Sequence, residues 1–345
     1  MTFDELSKQL LPFKQHWYRT RPASRHWEAG RYLCGFFHLL SYLKPMAEYP
    51  FLLVDAFTET ALGGNSCAVV LDADDLPPER MQQLAREFNQ PETAFVRRSA
   101  SADFAVRYFT PAEEIPLAGH PTIATLTALL HTGRLARPTG SAELALTLEL
   151  LHGPIAVAVE AAEPGRPCRI HMTQRRPVFG PLHDATEVLP MFGLTPDDLL
   201  PGAVIQTVST GTPQLMVPLR DLDALRRAGL PQPAALEAYR RASGFFSSHL
   251  FCLQGATPAG QTFARHICTP PDVLEDPVTG SATGGMAAYL WHYGLLASPT
   301  FVAEQGHWLG HPGTVQVQVL GPPQEIEAVR ISGKAVVVVE GRLTL

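Results

Sequence analysis

Two stretches that begin at a glycine carry residues that could bind and transform a small acid. Gly119 and His120 open one apolar run, Gly280 and Ser281 open another, and Asp276 lies shortly before the second. A helix that begins at such a glycine leaves its first N–H groups uncovered, together with the positive end of its dipole. Such an end can bind a carboxylate or a developing oxyanion. The alternative interpretation is that these glycines only permit turns and tight packing.

The two stretches are copies of one pattern. Gly119–Leu135 aligns with Gly280–Leu296 at an offset of 161 residues, and six of the seventeen positions are identical. Upstream, each copy has an arginine on an apolar run, Arg107 or Arg265, followed by Thr-Pro. Internal repeats at a long period indicate repeated architecture, so we predict a duplicated fold.

Each copy predicts a strand, a loop and then a buried helix. Ile123–Leu130 and Met286–Trp291 are apolar on almost every side, which is typical of a helix inside a core. Short runs of alternating or continuous apolar residues predict many short strands around them. The sequence therefore predicts an α+β fold in which strands surround one buried helix, twice. The Pro/Gly-rich stretch Glu163–Pro167 is the expected domain boundary.

The other predicted elements are short. The predicted strands are Phe51–Phe57, Ser66–Leu71, Thr93–Val96, Ala102–Phe109, Leu144–Leu150, Ile155–Val159, Cys168–Met172, Val204–Ser209, Leu215–Leu219, Leu250–Leu253, Thr262–Ile267, Thr314–Leu320, Ile326–Ile331 and Ala335–Glu340. The predicted helices are Pro77–Phe88, Asp221–Ala228 and Ala234–Ala242.

Composition excludes several classes of protein. A chain of 345 residues with 46% hydrophobic and 17% charged residues is globular and long enough for two domains. A net charge of −6 offers no attraction to nucleic acid or to an anionic membrane, and no apolar run reaches twenty residues. Five scattered cysteines predict reduced thiols in the cytoplasm. No metal-ligand or nucleotide-binding spacing occurs, so we expect neither a metal nor a cofactor.

Residues 1–45 differ from the rest of the chain. They contain seven Lys/Arg against three Asp/Glu, whereas residues 46–345 contain twenty against thirty. An Arg-rich targeting peptide is one interpretation, but Asp4 and Glu5 weaken it. We expect an extension outside the fold, or a start site chosen upstream of Met46.

Six motifs carry a resemblance to a known family. They are GGNSCAVV, NQPETAFV, AGHPT, EDPVTGSA, EQGHWLGHPG and ISGKAVVVVEG, and the similarity runs from about Met46 to the C-terminus. In combination they resemble the PhzF family of phenazine-biosynthesis proteins. The resemblance implies the diaminopimelate epimerase fold, with two similar domains, each a barrel-like sheet around a central helix, and the active site between them. We expect these domains at residues 46–165 and 166–345, with the final strand able to return to the first.

The racemases and epimerases of this fold use two thiols, each directly before the glycine of a core helix. Here those positions hold Ala118 and Thr279, and Cys268 lies further upstream. Alanine can neither take nor return a proton, so we exclude two-thiol racemisation. A racemase with other bases would depend on Thr279, which is a poor base.

The resemblance instead implies an isomerase with one carboxylate. Glu92 matches the glutamate that carries a proton between two carbons of the substrate, while His120 and Asp276 match residues that orient it. A single carboxyl with a raised pKa in a dry cleft suits this task. From the residues alone, a surface or helix-capping role is the better interpretation of Glu92. His120 could equally be a turn histidine, and Asp276 a partner of the helix dipole.

The resemblance also implies a substrate and its binding groups. Gly119, Gly280 and Ser281 would donate hydrogen bonds to a substrate carboxylate, and Thr210 and Gly211 would line the cleft. The implied reaction is a cofactor-independent isomerisation of a small cyclic acid, similar to that of trans-2,3-dihydro-3-hydroxyanthranilate, by a homodimer. A ligand-binding protein on the same fold, without turnover, is the alternative.

Overall fold

The computed structural model describes residues 47–140, 143–163, 165–269 and 274–345. The expected extension at residues 1–45 therefore lies outside the described residues, as do Pro164, inside the expected domain boundary, and Pro270, of the second Thr-Pro pair. Tyr49–Leu343 forms one compact unit. The domain boundaries at residues 46–165 and 166–345 stay a prediction.

The described residues form eighteen strands and six α-helices. The strands are β1 (Glu48–Ala56), β2 (Asn65–Val70), β3 (Glu92–Arg97), β4 (Phe104–Phe109), β5 (Glu114–Ile115), β6 (Leu144–Leu150), β7 (Gly153–Glu160), β8 (Arg169–Gln174), β9 (Val178–His183), β10 (Ile205–Ser209), β11 (Pro213–Pro218), β12 (Ser247–Cys252), β13 (Thr262–Ile267), β14 (Glu275–Asp276), β15 (Thr300–Gln305), β16 (Gly313–Leu320), β17 (Ala328–Gly333) and β18 (Ala335–Thr344). The helices are α1 (Pro78–Phe88), α2 (Gly119–His131), α3 (Ala185–Val188), α4 (Leu222–Arg227), α5 (Pro233–Ser243) and α6 (Gly280–His292). Among these, none combines the length and apolarity that a membrane span needs.

The pairing of the strands repeats. In the first copy the order is β18-β1-β2-β3-β4-β6-β7-β8, and in the second it is β9-β10-β11-β12-β13-β15-β16-β17. Corresponding pairs match in direction: β2–β3 and β11–β12 are parallel, as are β4–β6 and β13–β15. The antiparallel pair β8–β17 joins the two series. The duplication that the sequence predicts is confirmed at the level of topology.

The two core helices begin and pack alike. Residues of α2 and α6 are buried over almost their whole length, as their apolar composition predicts. The residues before them, Ala118 and Thr279, adopt extended conformations, and neither side chain caps its helix. In the first turn, Thr122 Oγ1 donates to Ala118 O at 2.7 Å, and Thr283 Oγ1 donates to Thr279 O at 2.9 Å. The first N–H groups of both helices therefore lack side-chain caps.

Equivalent ion pairs hold the loops that lead into these helices. Arg107 on β4 binds Glu114 of β5 through two hydrogen bonds of 2.7 and 2.6 Å. Arg265 on β13 binds Glu275 of β14 through two of 2.8 and 2.6 Å. Bidentate pairs of this kind fix orientation as well as distance. The repeated arginines of the sequence thus anchor the segments that approach each helix start.

The elements predicted from sequence all overlap observed ones, but several observed elements were not predicted. These are β5, β9, β14, β15 and α3. β9 contains Gly180 and Pro181, two residue types that are uncommon inside strands. Its apolar residues Val178 and Leu182 are exposed, so the sequence shows no buried apolar face. β15 ends in Glu304 and Gln305, whose polar side chains are buried, so its sequence lacks the apolar pattern of an internal strand.

Gly284→Ala tests how tightly α6 packs on its sheet. A Cβ at this position would lie 1.7 Å from Gln174 Oε1. Gln174 donates to Gly280 O at 2.9 Å and accepts from Thr210 Oγ1 at 2.6 Å, so it cannot move without losing both bonds. We expect a loss of about 1–3 kcal/mol in the free energy of unfolding in urea.

Gly229→Ala is the matched control, because a Cβ there would meet no atom within 4 Å. Equal urea midpoints for the two variants would contradict the packing of Gln174 against α6.

Candidate active site

Glu92, His120 and Asp276 meet in one cleft. Glu92 begins β3, His120 is the second residue of α2, and Asp276 ends β14. One polar atom of each side chain lies within 4.8 Å of the other two. All three line a cavity of about 600 Å³, together with the starts of both core helices. The structure thus brings together the three residues that the sequence singled out as catalytic.

The two helix starts touch at glycines. A Cβ on Gly119 would lie 3.0 Å from Gly280 Cα and 3.0 Å from Ser281 N, and a Cβ on Gly280 would lie 2.8 Å from Ile331 Cδ1. Neither position has room for a larger residue. The two helix ends are therefore in direct contact with each other. Gly119, Gly280 and Ser281 all line the cleft, so a ligand would approach both ends along their shared edge.

Asn65 joins the copies beneath the cleft. Its Nδ2 atom donates to Asp276 Oδ1 at 2.7 Å and to Val278 O at 2.9 Å, and it lies 3.0 Å from His120 Nδ1. Two hydrogens face three acceptors, so at least one hydrogen is shared. Asn65 was not predicted as a site residue. The available signal was its place in the GGN turn that opens β2, within a motif of the family resemblance.

His120 is a neutral side chain that faces Glu92. Its Nε2 atom lies 3.1 Å from Glu92 Oε2, and the ring is almost fully buried. Burial lowers the pKa of His120 from 6.5 to about 3. The contact from Asn65 to Nδ1 favours the tautomer with its proton on Nε2, where it can donate to the glutamate.

Asp276 is held in place at both oxygens. Oδ1 accepts from Asn65, and Oδ2 accepts from the hydroxyl of Thr279. Burial raises the pKa of Asp276 from 3.8 to about 6, and these two hydrogen bonds oppose part of that rise. Gln305 also supports the segment, since it donates to Asp276 O at 2.7 Å and accepts from Thr279 N at 3.1 Å. Gln305 lies in the EQGHWLGHPG motif but was not predicted as a site residue.

The same three side chains are spaced so that they could hold a metal ion. However, both oxygens of Asp276 already accept hydrogen bonds from Asn65 and Thr279. His120 Nε2 and Glu92 Oε2 lie 3.1 Å apart. This donor set therefore favours handling a proton over binding a cation.

The remaining predicted residues have different surroundings. Gly211 lines the cleft, where a Cβ would lie 2.5 Å from Leu117 Cδ2. Thr210 is buried and is not among the cleft-lining residues; it binds Gln174, which in turn binds the first turn of α6. Cys268 lines the cleft as well, although it does not precede either helix.

Residues 54–341 match the model of a family described as phenazine biosynthesis-like proteins, PhzC-PhzF. The chain belongs to the PhzF family. It is 37% identical over 294 residues to the uncharacterized isomerase YddE of Salmonella typhimurium, covering 82% of this chain and 94% of that one. It is 32% identical over 303 residues to the trans-2,3-dihydro-3-hydroxyanthranilate isomerase of Pseudomonas fluorescens, covering 86% and 99%. The PhzF match and these relatives make the chain an isomerase.

Solved structures agree on the fold. The PhzF-family phenazine biosynthesis protein of Bacillus anthracis superposes with a TM-score of 0.76 at 30% identity, covering 87% of this chain and 100% of that one. A hydroxyproline epimerase from Agrobacterium vitis shares the fold at 13% identity, with a TM-score of 0.59 and coverage of 86% and 93%. The PhzF chain described here therefore has the predicted α+β, epimerase-like fold.

Asp276→Asn should change stability in a pH-dependent way. A carboxyl whose pKa rises on folding stabilises the protein below its unfolded pKa and loses that contribution as the pH rises through about 6. Because asparagine does not titrate, the variant should gain free energy of unfolding relative to the wild type between about pH 3.5 and pH 7.5. The gain should be at most about 3 kcal/mol.

Asp184→Asn is the control of opposite sign. Asp184 accepts from Thr186 N at 2.8 Å, and hydrogen bonds from Thr186 lower the pKa of its carboxyl. That variant should lose relative stability as the pH rises. A difference for Asp276→Asn that stays constant across the range would contradict the raised pKa.

Proposed function

We propose that this PhzF-family isomerase moves a proton between two carbons of a small cyclic carboxylic or amino acid, with Glu92 as its single acid and base. The observation that carries the proposal is the position of Glu92 in the cleft, 3.1 Å from the buried His120. Ala118 and Thr279 occupy the positions directly before the core helices. Neither can serve as one of a pair of thiols, which favours a single carboxyl that both takes and returns the proton.

The chemistry balances without a cofactor. Glu92 in its carboxylate form takes a proton from one carbon, and the electron pair of the broken C–H bond moves into the conjugated system of the substrate. The protonated Glu92 then returns the proton to another carbon of that system. His120 lies beside Glu92, and its low pKa keeps it from competing for the proton. Asp276, fixed by Asn65 and Thr279, orients the substrate.

The acid group of the substrate belongs at the helix starts. The uncovered N–H groups near Gly119 and Gly280 and the hydroxyl of Ser281 line the cleft as potential donors. Charge that develops on a carboxylate during proton abstraction would be stabilised there by the aligned helix dipoles.

Relatives narrow the substrate class. The Pseudomonas relatives are named as isomerases of trans-2,3-dihydro-3-hydroxyanthranilate, a cyclic amino acid. We infer a substrate of this class for the present chain.

We further infer a cytoplasmic homodimer. The exposed apolar side chains of Val178 and Leu182 on β9 support contact with a second copy. Cys67, Cys168 and Cys252 form no disulfide, which supports a reducing compartment.

Glu92→Gln should abolish most turnover. Glutamine keeps the size of the side chain but cannot exchange a proton at neutral pH, so the rate should fall by roughly 10²–10⁴-fold. The assay is proton NMR in D₂O with trans-2,3-dihydro-3-hydroxyanthranilate and related cyclic acids, following isomerisation and deuterium uptake at carbon in single turnovers.

Glu87→Gln is the control, because Glu87 lies exposed on α1, outside the cleft. Normal isomerisation by Glu92→Gln would remove Glu92 from the mechanism. A wild-type protein that binds these acids without any exchange at carbon would instead indicate a ligand-binding protein.

Ser281→Ala should weaken carboxylate binding. The variant loses one donor at the start of α6, and one hydrogen bond contributes about 1 kcal/mol. Calorimetry with benzoate and anthranilate measures the change. Unchanged affinity for both acids would place the carboxylate elsewhere.

A further inference from the structure

The cleft has a second group of polar residues, distinct from Glu92, His120 and Asp276. They come from β11, β13 and the end of α5. The group includes Gln214, His266 and Arg241. The apolar residues Ile115, Leu117 and Phe245 line the same cleft.

A buried chain of hydrogen bonds leads to Gln214. His249 Nδ1 lies 3.2 Å from His266 Nδ1, and His266 Nε2 lies 2.7 Å from Ser247 Oγ. Ser247 Oγ donates to Gln214 Oε1 at 2.7 Å. Because a hydroxyl has one hydrogen, Ser247 must accept from His266 Nε2, and His266 Nδ1 must then accept from His249. Both rings are neutral in this arrangement, in agreement with burial, which lowers the pKa of each.

The Gln214 amide takes part in this chain through its oxygen. Its oxygen is committed to Ser247, so the remaining polar group is the Nε2 amide with two hydrogens. Gln214 is only 1% exposed and lines the cleft, and no residue in the described part of the chain hydrogen-bonds to Nε2. Nε2 can therefore donate to an acceptor on a ligand in the cleft.

Arg241 supplies a positive charge to the same cleft. Its Nε atom donates to Glu237 Oε1, and Arg240 binds the same carboxylate through Nε at 2.7 Å and Nη2 at 2.9 Å. Thr269 Oγ1 donates to Glu237 Oε2 at 2.6 Å. Two arginines thus share one carboxylate. Among described residues, none accepts a hydrogen bond from Nη1 or Nη2 of Arg241.

We propose that Arg241 and Gln214 form a second anion subsite, which selects cyclic acids that carry a second carboxylate. The Arg241 guanidinium supplies charge and paired donors, the Gln214 amide supplies a further donor, and the apolar residues of the cleft lining accommodate a ring. The proposal rests on the proposed function for the first carboxylate, which occupies the helix starts.

The test compares the three benzenedicarboxylates (phthalate, isophthalate and terephthalate) with benzoate, by calorimetry on the full chain at neutral pH. All four acids share the benzene ring and one carboxylate. A difference in affinity between a dicarboxylate and benzoate therefore measures the contribution of the second carboxylate, and the three isomers show which separation of the two carboxylates the cleft accepts. We expect at least one dicarboxylate to bind roughly tenfold tighter than benzoate, the usual gain from a charge-assisted hydrogen bond.

Variants locate the gain. In Arg241→Gln, the affinity for the favoured dicarboxylate should fall to that for benzoate. Arg241→Lys keeps the charge, so it should still bind the dicarboxylate more tightly than benzoate, by a smaller factor than the wild type. Gln214→Leu should reduce it as well. Arg80→Gln makes the same change on an exposed helical arginine outside the cleft and should leave every affinity unchanged.

The outcomes separate this inference from the proposed function. If benzoate binds and no dicarboxylate binds more tightly, the second subsite does not exist, while the proposed function stands. If a dicarboxylate binds through Arg241 but benzoate does not bind, the helix-start site fails and the second subsite stands. A dicarboxylate advantage that survives Arg241→Gln, or no binding of any dicarboxylate, overturns the inference.

Discussion

The contact between the two helix starts is the constraint on which the site depends. Gly119 packs closely against Gly280 and Ser281, because a Cβ on Gly119 would lie 3.0 Å from Gly280 Cα and from Ser281 N. The free N–H groups of the two helix starts therefore lie side by side. Two positive helix ends in contact repel each other, and an anion in the cleft would relieve that repulsion. This electrostatic argument supports the proposed position of an acidic ligand at the helix starts.

Asn65 makes the two copies act as one site. It is fully buried and reaches from β2 of the first copy to Asp276 and Val278 of the second, while also contacting His120. A change in the distance between the copies would break these bonds together. The positions of Asp276 and His120 relative to a bound acid are thus coupled to the packing between the halves, and a mutation at Asn65 affects both residues.

Most of the fold could be predicted from the sequence because the repeat and the buried helices leave strong patterns. The helix starts at Gly119 and Gly280 follow from apolar runs and small residues, and Glu92 followed from a family motif. Asn65, Gln174 and Gln305 could not be predicted in the same way. Their roles arise from hydrogen bonds to residues that are distant along the chain, by 211 positions for Asn65, 106 for Gln174 and 29 for Gln305. No local sequence pattern records such contacts. β15 was not predicted because it ends in the polar residues Glu304 and Gln305, which are buried through hydrogen bonds to residues distant along the chain.

The duplication also explains why the cleft is chemically asymmetric. In the first copy Glu92 pairs in register with Cys67 of the parallel strand β2, and in the second copy Ser247 pairs in the same way with Gln214 of β11. Glu92 and Ser247 are therefore equivalent positions. One carries a carboxyl that can exchange a proton, and the other carries a hydroxyl that passes a hydrogen bond from His266 to Gln214. One scaffold thus holds a carboxyl in one half and a serine–glutamine hydrogen bond in the other, and both Glu92 and Gln214 line one cleft.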